Sequence, residues 1–170
     1  VSDQPSRIGR AGLTQALCGM PDNFDFECEP SLDAASAASA SLRNALPNEI
    51  HAKNFTLHSA VPFRTAVLKE ALAYRASSLA DGCVSEMKQG RWVNCIVLVR
   101  CIVETGALLY CLGQKVSTAI QTRSDENLWL FLQRAAVGAK TINGLPSPPN
   151  VLSMIDKVNK EFPGFRDAYD

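Results

Sequence analysis

The sequence predicts an all-α fold, a helical bundle of about five helices packed around a long central apolar helix at about 91–122. Three observations predict it. No segment of useful length alternates apolar and polar residues with period two, so a sheet is not expected. Apolar residues instead recur at steps of three and four, as on one face of a helix. And RWVNCIVLVRCIVETGALLYCLG, residues 91–113, is apolar all round the helical wheel, the pattern of a helix enclosed by others.

Residues 1–31 carry Pro, Gly, Asp and Asn at short intervals and are expected to form an irregular N-terminal arm. Residues 32–170 are expected to form the single bundle domain. DAASAASASLRNAL, 33–46, is rich in alanine, the strongest helix former, and stops at Pro47. From about Ser59, Pro62 suits a first helical turn, where its missing N–H is not needed. Leu68, Leu72, Ala76, Leu79, Cys83 and Met87 then mark one face, and Gly90 ends the helix. The central helix runs on to about Thr122. DENLWLFLQRAAVGA reads as a shorter helix, with Asp125 and Glu126 near its positive end. After the loop NGLPSPPN, Ser147 is expected to cap the next helix with Pro148 in its first turn. Val151, Ile155, Val158 and Phe162 form its apolar stripe. FRDAYD reads as the start of one more helix.

A chain of 170 residues is the size of one domain and needs no disulfide or metal to fold. Seventeen basic residues cancel seventeen acidic ones, so net charge gives RNA or anionic membrane no general attraction. The six cysteines, Cys18, Cys28, Cys83, Cys95, Cys101 and Cys111, form no C-x-x-C pair. They are expected as buried, reduced thiols of a cytoplasmic protein. Neither His51 nor His58 is spaced with a cysteine as zinc ligands usually are. No cofactor or metal is expected. The N-terminal residues show no apolar signal core, and the absence of an initiator Met suggests a processed portion of a longer chain.

Arg100 and Glu104 sit in the middle of the most apolar stretch. A membrane span of that length would place the arginine near its centre, at roughly 2.5–3.5 kcal/mol, so no membrane is expected. In a bundle the two residues are one turn and about 40° apart and can touch. They are the candidate polar site or buried ion pair. Such burial is costly and brings little net stability, which points to a role in register or in lining a cleft. Cys95, Gly106 and Gly113 fall within about 20° on the wheel. Glycine twice on one face suggests a helix–helix or dimer contact, so a homodimer is expected.

Catalytic signatures fail. AVGAKT at 136–141 would need a glycine where Arg134 stands to be a phosphate loop. No G-x-G-x-x-G, H-E-x-x-H or G-x-S-x-G occurs. His51 and His58 are expected on a loop, and Asp22, Asp25 and Glu27 in a solvated turn rather than a cation site.

LVRCIVETGALLYCL (98–112) resembles the R-x-x-x-E-(T/S) central helix of little-characterised bacterial all-helical proteins, some of them HEPN-like. The likeness extends to AYRASSLADGCVSEMKQGRWVNC ahead of it and NVLSMIDKVNKEFPGFRDAYD after it, covering roughly residues 63–170. The resemblance implies a helical bundle, often dimeric, in toxin–antitoxin or phage-defence settings. Active members are metal-independent ribonucleases in which an arginine is followed within a few residues by a histidine. Here Arg43 lies eight residues before His51, and no arginine precedes His58 at the right distance. A ribonuclease reading therefore needs a histidine beyond Asp170. For the chain as it stands, the expected function is a self-associating scaffold that binds a protein partner or ligand.

Overall fold

The computed structural model describes residues 29–55, 59–139 and 144–170. The chain divides into two compact units, 1–30 and 31–170, and the second holds the bundle. The expected irregular arm, the acidic cluster at Asp22, Asp25 and Glu27, Cys18, Cys28 and His58 lie outside the described residues, as do Lys140 and Thr141.

The fold is all-helical: five helices, with no strand among the described residues. Helix α1 (Glu29–Asn44) is held by its small polar residues as much as by apolar ones. Leu32 and Ser39 are its buried positions. Ser39 Oγ lies 2.9 Å from Ser77 O and 2.6 Å from Asp81 Oδ1, and Arg43 pairs with Asp81. Helix α2 (Val61–Lys88) opens with Pro62 in its first turn. The Ser59 hydroxyl accepts from Val61 N at 3.2 Å, satisfying one orphan amide.

Gly90, at φ +68°, turns the chain after α2. That left-handed conformation is open to glycine without penalty. Helix α3 (Trp92–Thr122) then returns antiparallel along α2. The register is fixed by side chains: Asn94 donates to Glu86 Oε2 at 2.6 Å, and Cys83 faces Cys95. Helix α4 (Glu126–Val137) packs on α3 and α2, and α5 (Val151–Glu161) packs on α3.

Two apolar clusters share α3, which is why it is the central element. Val103, Ala107 and Cys111 pack with Met154, Ile155 and Val158 of α5. Leu112 packs with Val61 of α2 and Leu128 and Leu132 of α4. Ile155 is fully buried, at 0% exposure, a burial that contributes about 1.5–3 kcal/mol.

Two expectations at the C-terminal end are corrected. Helix α5 begins at Val151, capped by Asn150, whose side chain accepts from Ser153 N at 3.3 Å. Ser147 and Pro148 stay in the loop. Pro149 disfavours helical backbone at Pro148, which pushes the start past both prolines. FRDAYD forms consecutive turns rather than a helix. Gly164 at φ +92° breaks the helix, and Tyr169 N donates to Arg166 O at 2.8 Å in a tight turn.

Gly138, just past α4, lies against Pro148. A Cβ at Gly138 would lie 2.3 Å from Arg134 O and 2.7 Å from Pro148 Cα. Only glycine lets the backbone at 138 approach Pro148 this closely. Arg134 reinforces the approach, its Nε donating to Ser147 O at 2.9 Å.

Candidate functional site

Arg100 and Glu104 project from α3 onto the C-terminal turns. They do not form a buried ion pair: Arg100 is exposed, and among the described residues no salt bridge joins the two. Both instead hold Tyr169. Arg100 Nε donates to Tyr169 O at 2.9 Å and its Nη2 to the backbone oxygen of Asp170 at 3.1 Å. The guanidinium also sits 5.6 Å from the Tyr169 ring centroid, within cation–π range. The Tyr169 hydroxyl donates to Glu104 Oε1 at 3.2 Å. Each side chain thus finds a partner on the C-terminal turns.

The electrostatics follow from this contact. Burial raises the Tyr169 hydroxyl above its usual value, and the Glu104 carboxylate adds to the rise through its hydrogen bond and charge, while Arg100 opposes it. The turn is braced from α5 as well. Asn159 Oδ1 accepts from Arg166 N at 3.0 Å, and the Arg166 side chain pairs with Asp156 and Asp170.

The residues grouped on the wheel separate in space. Cys95 is buried against Cys83 of α2. Gly106 lies under the Phe165 ring, with 3.6 Å from its Cβ position to Cζ. Gly113 is exposed, with nothing within 4 Å of its Cβ position. His51 is exposed and lies 3.0 Å from Glu49.

Sequence reasoning missed two features. One is an open face on the first two turns of α3, where Val93, Ile96 and Val97 are 76%, 58% and 55% exposed. An apolar wheel cannot tell a covered face from a bare one. The other is a cleft of about 310 Å³ between α3, α4 and α5. Cys111 lies at its wall, its thiol raised by burial against the opposing pull of Lys157 and Lys115. The Tyr110 hydroxyl at its edge is raised first by its hydrogen bond to Glu161. Among the described residues no group of three or more His, Cys, Asp or Glu side chains is placed to hold a metal.

Helix α3 is long and apolar enough to cross a membrane by length and composition, and 33% of its most apolar stretch is buried in the bundle. No family model, no curated protein and no solved structure matches this chain.

Proposed function

We propose that the chain is a non-catalytic helical scaffold that self-associates through the exposed face at the start of α3. The observation that carries this reading is the exposed stripe Val93, Ile96 and Val97. Its spacing of three and four puts all three side chains on one face. Contiguous exposed apolar patches mark protein or membrane interaction sites.

A second copy of the same chain is the occupant that the stripe's charge pattern favours. No charged residue lies between Trp92 and Val99, so a two-fold arrangement sets apolar surface against apolar surface. The flanking arginines are already engaged. Arg91 Nε lies 3.2 Å from Glu86 Oε2, and Arg100 donates to two backbone oxygens. Arg91 is thus paired with a carboxylate, and the Arg100 donors are occupied within its own chain.

The test is sedimentation velocity of the full chain across a wide concentration range, beside the Ile96→Glu variant. A concentration-dependent dimer, lost in the variant while helicity is retained, supports the reading. A monomer at all concentrations overturns it. So does flotation of the wild-type chain with phospholipid vesicles that the variant fails to bind, because the stripe would then serve a membrane.

A further inference from the structure

Cys83 and Cys95 project toward each other across the α2–α3 hairpin. Their Sγ atoms are 3.1 Å apart, and both residues are buried. A disulfide bond is about 2.05 Å long, so closure needs a sulfur movement of about 1 Å. The surrounding packing supports that approach. One residue before Cys83, the Cβ position of Gly82 is 3.5 Å from Leu98 Cδ1, so the helices run close here. The hydrogen bond from Asn94 to Glu86 pins the same register. The two free thiols form a donor–acceptor contact in the reduced state.

We propose that Cys83 and Cys95 are a disulfide-forming pair, closed during folding by exchange with a small-molecule disulfide, and that the bond staples α2 to α3. The exchange balances in two steps. The thiolate of either cysteine attacks the oxidant's disulfide, forming a mixed disulfide and releasing one oxidant thiolate. The other cysteine's thiolate then attacks the protein sulfur of that mixed disulfide and releases the second. The two protons given up by the cysteines go through solvent to the two departing thiolates. One oxidant disulfide becomes two thiols as two cysteine thiols become one cystine.

Closure belongs to folding rather than to the finished protein. In the folded state the Cys83 thiol is pushed up to about 12, first by burial and then by Cys95. A thiol so rarely ionised attacks slowly. In the unfolded hairpin both thiols are accessible, and twelve positions separate them in sequence, a short loop to close.

The reduced full chain is unfolded in denaturant and refolded in a buffer of reduced and oxidised glutathione. Free thiols are then alkylated and the chain is digested with trypsin. Cleavage after Arg75, Lys88, Arg91 and Arg100 places Cys83 in peptide 76–88 and Cys95 in peptide 92–100, each the sole cysteine there. The proposal expects these two peptides cross-linked as the main product, with a mass lower by two hydrogens than their sum. It also expects native reduced protein, exposed to oxidised glutathione without unfolding, to form the cross-link far more slowly. The stapled form should melt higher than the reduced form by on the order of 5–10 °C. Recovery of both cysteines alkylated, or carrying glutathione separately, or joined mainly to other cysteines, overturns the proposal. The peptide map reads the wild-type chain, so no variant has to fold.

Discussion

The Tyr169 hydroxyl donates to Glu104 Oε1 at 3.2 Å, joining α3 to a turn 65 residues further along the chain. Arg100, one helical turn earlier, holds the backbone of the same turn. The two charges in the apolar helix therefore act as an anchor for the C-terminal turns. The C-terminal turns meet α3 at Arg100, Glu104 and Gly106, and the face at Val93, Ile96 and Val97 nearer its start stays exposed.

Alkaline pH loosens this anchor. The Tyr169 hydroxyl is raised above 10.0 in the folded state, so the folded chain holds that proton more tightly than the unfolded chain does. The stability it contributes is fully present below the unfolded value and is lost as pH rises through the folded one. Cys83, raised from 9.0 to about 12, acts with the same sign and begins to weaken the reduced protein at lower pH. Denaturant unfolding of reduced protein across this alkaline range should show stability falling, with a shallower fall above pH ~10 in Tyr169→Phe. An unchanged slope in the variant would remove Tyr169 from the account.

Two glycines respond oppositely to alanine. Gly138→Ala places a methyl 2.7 Å from Pro148 Cα and 2.3 Å from Arg134 O, and should destabilise by about 1–3 kcal/mol. Gly113→Ala meets open space on an exposed helix face and should stabilise by up to about 1 kcal/mol. Thermal unfolding of both variants reads the signs directly.

Ile155 is the deepest large side chain of the cluster that joins α5 to α3. Ile155→Ala should cost about 2–5 kcal/mol by denaturant unfolding. Phe162, on the same sequence stripe, is 57% exposed and meets Tyr110 edge-on at 6.2 Å between centroids. Phe162→Ala should cost much less.

How far the sequence carried depends on how local each signal is. The apolar run of α3 and the stripes of α2 and α5 are local, and they placed the helices to within a few residues. The start of α5 was misplaced because Ser147–Pro148 looks like a cap until Pro149 is weighed. The partner of Arg100 and Glu104 was hidden, since nothing within α3 says that Tyr169 folds back onto it. The bare face at Val93, Ile96 and Val97 was hidden for the same reason: periodicity shows which side chains share a face, and only packing decides what covers it.

The anchor is tested most directly by a double-mutant cycle on Glu104→Gln and Tyr169→Phe, read by thermal unfolding of the full chain. Each single variant should lower Tm by roughly 2–4 °C, the shift that one ordinary interaction carries in a chain of this size. The double variant should fall short of the sum of the two, because the hydrogen bond is lost only once. Strictly additive losses, or two singles as stable as wild type, would mean that the contact holds nothing in place.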